Sequence, residues 1–237
     1  MRTSNKILLS IFIGPLIILT ALQLTLYAKY KSGNYVAMKT VKEDRFMRYA
    51  PKNINHVAVY GLSNFHLIPA DSVKLEIEKD LNSHLKYTVI GDSLIIRVDS
   101  IKTGGSYEFE RSYQEVNLFL PASESITIDN SDMILQGSKD STKAQSYHFF
   151  IVNSAVFKIE QYGDDSTQMH FKEVTIKASH SAGIEFTAQS HIADLQLSMI
   201  ESAFTDNGAS IDKLMIDADK ESNISLKGDN LKKVNLK

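Results

Sequence analysis

Pairs of apolar residues separated by one residue return about every 20 positions in the second half of this sequence. The steps between successive pairs are similar, and the longest is the one from Phe149 to Val174. The pairs are Ile126/Ile128, Phe149/Ile151, Val174/Ile176, Leu195/Leu197, Leu214/Ile216 and Val234/Leu236. Alternation with a period of two is typical of a strand with one buried face. One unit buries too little apolar surface by itself, so the repeat predicts units stacked around a continuous core.

A further apolar residue lies three positions before the pair in the last three complete units, at Phe171, Ile192 and Ile211. The full pattern predicts an all-β domain of the parallel β-solenoid or β-helix type. The alternative is a β-sandwich whose strands are evenly spaced. Shorter alternating runs predict six earlier strands, at 57–59, 65–67, 73–77, 85–89, 94–98 and 116–120.

An uncharged apolar run occupies residues 7–28. As a helix rising about 1.5 Å per residue, it would extend roughly 33 Å, enough to cross the hydrocarbon core of a bilayer. Gly14 and Pro15 interrupt the run, but bilayers tolerate a proline kink. Cleavage after Ala28 would place Leu26 where a signal peptidase requires a small residue. The run therefore predicts one uncleaved transmembrane helix.

These features divide the chain into four parts: a short N-terminal tail (1–6), a transmembrane anchor (7–28), a linker (29–53) and a β-solenoid-like domain (54–237). Arg2 and Lys6 favour a cytoplasmic N-terminus, whereas the basic residues that follow the anchor favour the opposite orientation. The charges alone leave the orientation open.

Composition excludes several classes of function. The chain contains 26 basic and 28 acidic residues and no cysteine. Binding to nucleic acid needs a basic face, so we expect no nucleic-acid partner. Without cysteine the chain has no disulfide, thiolate metal site or cysteine nucleophile.

Three segments resemble the bacterial auto-transporter adhesin head GIN domain family. They are an opening strand with glycine at 57–65, the strand at 92–98 and the strand that ends at Pro121, and strand–turn units with small turn residues at 207–210 follow them. The resemblance covers residues 54–237. It implies an exported, solenoid-like domain of the kind common in Bacteroidetes, with no catalytic residues. An exported domain would place the N-terminus in the cytoplasm.

Candidate catalytic and metal-binding residues are sparse. His170, His180 and His191 follow one another at intervals of about half a repeat, which predicts side chains on different faces rather than a zinc site. Asp129 and Asp217 each follow an apolar pair, but four strand steps would separate them by roughly 19 Å, too far for paired catalytic carboxylates. Asp132 and Asp219 are the nearest other acidic residues. We therefore expect no enzyme activity, metal or cofactor.

One strand is a candidate interaction strip, because alternation places Tyr107, Phe109, Arg111 and Tyr113 on the same face. Exposed Tyr and Arg side chains contribute strongly to binding. The alternative is that these aromatic residues cover the core.

The sequence thus predicts a single-pass membrane protein with a non-enzymatic interaction or structural module of the cell envelope in the periplasm or outside the cell. Its expected partners are the membrane, through residues 7–28, and an envelope protein or glycan. Residues 231–237 could pair with a second copy at an exposed sheet edge. The alternatives are a glycan-binding or glycan-active β-helix and a tethered scaffold that faces the cytoplasm.

Overall fold

The structure, a computed structural model, describes most of the chain. The described residues are 3–33, 45–79, 84–98, 101–103, 106–108, 111–121, 125–160, 167–233 and 235–236. The chain forms two compact units, Met1–Arg45 and Phe46–Lys237.

The described part of the first unit is a helix, α1, at Thr3–Lys31. Its segment Ile13–Lys31 has a mean hydropathy of 1.3 and is long and apolar enough to cross a membrane. The hydroxyls of Thr20 and Thr25 donate to backbone carbonyls four residues earlier, at 2.7 and 2.8 Å. These polar side chains are therefore satisfied within the helix, as a bilayer requires.

The second unit is built almost entirely from strands. In its described part the strands are β1 Phe46–Tyr49, β2 His56–Tyr60, β3 Phe65–Pro69, β4 Lys74–Glu78, β5 Leu85–Ile90, β6 Ser93–Val98, β7 Ile101–Thr103, β8 Ser106–Glu108, β9 Val116–Leu120, β10 Ser125–Asp129, β11 Asp132–Leu135, β12 Gln145–Val152, β13 Val156–Ile159, β14 Met169–Ser179, β15 Gly183–Thr187, β16 Ser190–Ile200, β17 Ala203–Asn207, β18 Ser210–Ala218, β19 Asn223–Ser225 and β20 Asn235–Leu236. Two short 3₁₀ helices lie at Ser141–Lys143 and Gly228–Lys233. All six strands predicted before Pro121 are confirmed.

Eighteen of these strands form two nine-stranded sheets. The first sheet has the order β1-β4-β9-β3-β11-β13-β15-β17-β19, and the second has the order β20-β18-β16-β14-β12-β10-β2-β6-β5. Strands β7 and β8 pair with each other as a separate antiparallel hairpin.

From β10 to β20 the chain alternates between the sheets, with even-numbered strands in the second sheet and odd-numbered strands in the first. Each strand pairs in parallel with the strand two places further along, as β14 does with β12 and β16. One strand from each sheet plus a turn therefore makes up one repeat. This arrangement explains the length of the repeat in the sequence, because equivalent residues of successive repeats become neighbours in a sheet.

The register differs from the predicted alignment at one step. The sequence aligns Phe149 with Val174, but in the structure Phe149 pairs with Ile176 and Tyr147 pairs with Val174. Strands β12 and β14 have three inward positions here, and the third in β14 is the small Ala178. A slip of two residues preserves the inward face, so apolar alternation alone could not detect it. Beyond this step, Phe171, Ile192 and Ile211 form one buried row, as predicted.

The inward side chains of the two sheets form a single core. Aromatic contacts connect the sheets, because the ring centroids of Phe149 in β12 and Phe157 in β13 lie 4.7 Å apart. The contacts continue along the first sheet, with centroid distances of 6.3 Å from Phe157 to Phe186 and 5.2 Å from Phe186 to Phe204. Such edge-on pairs add attraction beyond their burial.

Tight turns from the second sheet to the first depend on left-handed backbone at equivalent positions. Asn130, Ser154, Ser181 and Glu201 all have positive φ, between 46° and 64°. A small residue follows each of them and is buried, namely Ser131, Ala155, Ala182 and Ser202. Small side chains are thus enclosed at each point where the chain crosses from the second sheet to the first.

The early strands depart from a purely parallel solenoid. Strand β4 pairs antiparallel with β9 and with β1, and β5 pairs antiparallel with β6. Both large sheets are therefore mixed. Strand β1, Phe46–Tyr49, lies within the predicted linker at 29–53. It is too short for a visible alternation, and it is recognisable only through its pairing with β4.

Candidate interaction surface

The predicted interaction strip does not form one strand face. Strand β8 ends at Glu108, and Arg111 and Tyr113 follow it outside any strand. Tyr107 lies in β8, with its backbone opposite Lys102, and Phe109 lies outside the described residues. The structure therefore gives separate surroundings to the two members of the strip whose side chains it describes.

Arg111 is held by a turn of the repeat. Its guanidinium donates to Oδ1 of Asn130 at 3.0 and 3.1 Å, to Oδ1 of Asp132 at 2.7 Å and to the carbonyl of Ser154 at 2.8 Å. Asn130 and Ser154 are the left-handed residues of two successive turns. Arg111 therefore ties neighbouring repeats together, and its donors are largely committed to the protein itself.

Of the two strip residues whose side chains the structure describes, Tyr113 is the one that can meet a partner, since 82% of its surface is exposed. The two preceding residues are fixed, Arg111 through its guanidinium and Ser112 through backbone hydrogen bonds with Gly61 and Ser63. Tyr113 is therefore an exposed aromatic ring on an anchored stretch of backbone, a favourable arrangement for a contact residue.

The outward side chains of β10, β12, β14, β16 and β18, here called the outer face, present a larger surface. Parallel register places residues of successive repeats in rows, with about 4.8 Å between neighbouring strands. One such row is Thr127, Phe150, Lys177, Ser198 and Asp217. Lys177 Nζ lies 5.6 Å from the ring centroid of Phe150, a cation–π distance. The outer face thus combines aromatic, basic and acidic groups in a regular array.

The acidic residues considered for catalysis stay apart. Asp129 lies opposite Val152 and Asp217 opposite Ser198, so they occupy different rows as well as strands four steps apart. Asp132 binds Arg111. Asp219 accepts hydrogen bonds from Ser222 Oγ and from the backbone of Glu201, and these bonds lower its pKa. None of these four carboxylates pairs with another as a catalytic acid and base.

The prediction that the three histidines lie on different faces is wrong for His170 and His191. His170 and His191 face each other across β14 and β16, with ring centroids 5.4 Å apart and Nδ1 atoms 3.4 Å apart. Nε2 of His191 lies 3.1 Å from Oδ2 of Asp212. His180 lies in a turn, where its Nδ1 contacts the hydroxyl of Ser179. The pairing follows from the repeat, because His170 and His191 lie about one repeat length apart in the sequence.

These features define a class: a β protein of two large mixed sheets, in which many strands two places apart in the chain pair in parallel, with an apolar helix earlier in the chain. No protein-family model matches the chain, and no curated protein matches it. Solved structures do. A "putative adhesin" from Parabacteroides distasonis is 11% identical and has a TM-score of 0.51, with 81% of this chain and 74% of that one covered.

Two further similar structures match less closely in shape. A "putative adhesin" from Parabacteroides merdae is 6% identical, covers 77% of this chain and 95% of its own, and has a TM-score of 0.39. A "putative lipid binding protein" from Parabacteroides distasonis is 10% identical, covers 81% and 96%, and has a TM-score of 0.42. The first of these structures therefore shows that this chain shares the fold of a protein described as a "putative adhesin" from Parabacteroides distasonis.

Proposed function

We propose that this chain is a membrane-anchored, non-enzymatic interaction or structural module of the cell envelope, with its β unit outside the cytoplasm. The observation that supports this most directly is the outer face, a regular array of aromatic and charged side chains displayed by successive repeats. Such a surface suits contact with an extended partner, either an envelope protein or a glycan. The shared fold with a structure described as a "putative adhesin" agrees with this role.

We also infer that the strands from β10 to β19 constitute a parallel β-solenoid, to which the antiparallel strands β1, β4 and β5 are added. The support is the unbroken parallel pairing between strands two places apart. In a solenoid each repeat contacts only its neighbours. The binding surface would then grow with the number of repeats.

Helix α1 is the proposed anchor. Its exposed side chains between Ile13 and Tyr30 are mainly Leu, Ile and Tyr, and its threonine hydroxyls bond within the helix. Such a surface is costly in water and favourable in a bilayer. Because the anchor precedes the whole β unit in the chain, an N-terminus in the cytoplasm places that unit on the far side of the membrane.

Fractionation of the full-length chain fused at Lys237 to alkaline phosphatase, which folds only outside the cytoplasm, tests anchor and orientation together. The fusion should remain with membranes after carbonate extraction and should be enzymatically active. Replacing two exposed helix residues, Leu16→Lys with Leu22→Lys, should release the protein from the membrane pellet. The matched control, Lys220→Leu with Lys227→Leu in the β unit, should not. An inactive fusion, with a cytoplasmic reporter active in its place, would refute the proposed orientation.

Substitution of Tyr113 tests the proposed role of the interaction strip, which consists of Tyr107, Phe109, Arg111 and Tyr113. Because its ring is exposed, Tyr113→Ala should leave the thermal midpoint unchanged while reducing adhesion of cells or vesicles carrying the protein. Phe150→Ala tests the outer face in the same assay. Full adhesion by both variants would exclude these two surfaces as the binding site.

A further inference from the structure

The histidine pair on β14 and β16 has the spacing of two ligands on one tetrahedral metal ion. The two Nδ1 atoms lie 3.4 Å apart. Zinc–nitrogen bonds of about 2.0–2.1 Å at the tetrahedral angle place two ligand nitrogens roughly 3.3 Å apart. Adjacent ligands of a square-planar Cu²⁺ ion would lie closer together, at about 2.8 Å. The separation therefore favours an ion with tetrahedral geometry.

Asp212 prepares His191 for this role. A carboxylate only accepts hydrogen bonds, so the contact of 3.1 Å between Asp212 Oδ2 and His191 Nε2 places the ring proton on Nε2. The lone pair of neutral His191 then lies on Nδ1, the atom that faces His170. A carboxylate bound to the distal nitrogen of a histidine is the usual support of a histidine ligand to zinc.

The surroundings of the pair suit a cation. The carboxylate of Asp140 lies near His170, and its pKa is lowered mainly by hydrogen bonds from Thr142 and to a smaller extent by Lys143 and that histidine. The side chain of His191 is 29% exposed, so solvent and ions can reach it. The backbone N–H of His170 donates to the carbonyl of Ser138 at 2.8 Å, which fixes the strand that carries one of the two rings.

We propose that His170 and His191 form a binding site for Zn²⁺ on the second sheet, with Asp212 as the positioning residue. Among the described residues, no group of three or more His, Asp or Glu side chains is arranged to hold a metal ion. Water molecules therefore complete the coordination, and the ion is exchangeable. An exchangeable ion with open positions could also accept a ligand from a partner molecule, which links this site to the proposed interaction role but does not depend on it.

Binding requires a change of tautomer and no net loss of protons. Without metal, the contact between two Nδ1 atoms requires one to donate, and that atom is Nδ1 of His170, because the proton of His191 is on Nε2. At 3.4 Å this hydrogen bond is long and weak. When zinc binds, the proton of His170 moves to its Nε2 through solvent, and the Nδ1 lone pairs of both rings coordinate the ion. The cost of breaking the existing contact is therefore small.

Competition with a zinc-responsive dye tests the site, using the full-length chain in detergent, purified without a histidine tag. The wild-type chain should bind one equivalent of Zn²⁺. His170→Gln and His191→Gln should each abolish that equivalent, and Asp212→Asn should weaken it about tenfold, as expected for a residue that orients a ligand. His148→Gln, on the outer face of β12, and His180→Gln are matched controls that should retain full binding.

A second measurement separates a lost site from a lost fold. In the wild-type chain, addition of Zn²⁺ should shift the ring ¹⁵N resonances of His170 and His191. In His170→Gln and in His191→Gln, neither of these shifts should be seen. Circular dichroism should give the same strand content for all variants. The proposal is refuted if the wild-type chain binds no zinc, or if either histidine variant remains folded and still binds a full equivalent.

Discussion

Asp206 is a buried carboxylate near the end of β17, and its removal should loosen the last repeat. Only 2% of its surface is exposed. Its Oδ1 accepts hydrogen bonds from the backbone N–H groups of Gly208 and Ala209 at 2.8 and 2.7 Å. Its Oδ2 accepts from the N–H of Lys227 at 3.2 Å and from the side-chain amide of Asn230 at 2.9 Å. One side chain thus connects the turn after β17 to the segment that follows β19.

The expected loss of stability in Asp206→Ala follows from the hydrogen-bond donors that would lose their acceptor. Three backbone N–H groups lose their acceptor, while Asn230 keeps its second bond, to the carbonyl of Ala209 at 2.7 Å. An unsatisfied buried donor costs about 1–3 kcal/mol. Taking the lower end of that range for each backbone donor, since water can enter near a chain end, gives about 3 kcal/mol. In hydrogen exchange this corresponds to roughly a hundredfold loss of protection.

Hydrogen exchange measured by mass spectrometry on the full-length chain checks this value, because it resolves the repeats. Exchange should accelerate in the segments at 206–211 and 222–233, and it should stay unchanged in β10 and β12, several repeats away. Asp217→Ala is the matched control, since Asp217 is an exposed aspartate on the following strand β18. The reasoning is refuted if Asp206→Ala exchanges like the wild type, or if Asp217→Ala loosens the same segments to the same extent.

Three further outcomes follow from other parts of the β unit. Phe157→Ala removes a fully buried ring that contacts Phe149 and Phe186, so it should lower the free energy of unfolding by about 3–5 kcal/mol in denaturant titration, and a loss below about 1 kcal/mol would contradict the packing. Arg111→Gln should accelerate amide exchange around residues 130 and 154, whose turns it joins, whereas unchanged exchange there would show that the turns hold without it. Burial lowers the pKa of His66, against the opposing effects of Glu115 and Glu160. The imidazole of His66 therefore binds a proton more readily in the unfolded chain than in the folded one. The free energy of unfolding should accordingly fall as the pH drops below about 6.5. His66→Gln should reduce that fall in urea titrations at pH 7 and pH 5, and an identical fall in both proteins would refute it.

The sequence was sufficient to predict the strands that carry their own apolar alternation, but not the short strand β1. It was insufficient for their order in space. In the second sheet β2 lies between β6 and β10, and in the first sheet β3 lies between β9 and β11. The strand pair β2 and β3 is therefore inserted between strands that come later in the chain. Nothing in the local pattern of 56–69 records which strands will flank it, since the same inward residues would suit either position.

The candidate sites illustrate the same limit. Arg111 and Tyr113 alternate as strand residues do, yet neither lies in a strand, and the guanidinium of Arg111 donates to Asn130 and Asp132. Conversely, His170 and His191 are far apart in the sequence, but their separation equals about one repeat length. This spacing could have predicted that the two histidines contact each other. The hydrogen bonds of Asp206 could not have been predicted, because the segments that these bonds join share no sequence pattern.

A stack of parallel strands leaves an open edge at each end, and segments outside the repeat must cover these edges. Exposed edges recruit other chains. At one end the antiparallel strands β1, β4 and β5 are added to the stack. At the other, Asn230 is buried in the 3₁₀ helix Gly228–Lys233, and Lys233 Nζ donates to the carbonyl of Ile211. In the described part of the chain, the short strand β20 alone extends the second sheet there. In its described part this edge offers the two residues of β20 for pairing with a second copy, so we expect partners to contact the broad outer face instead.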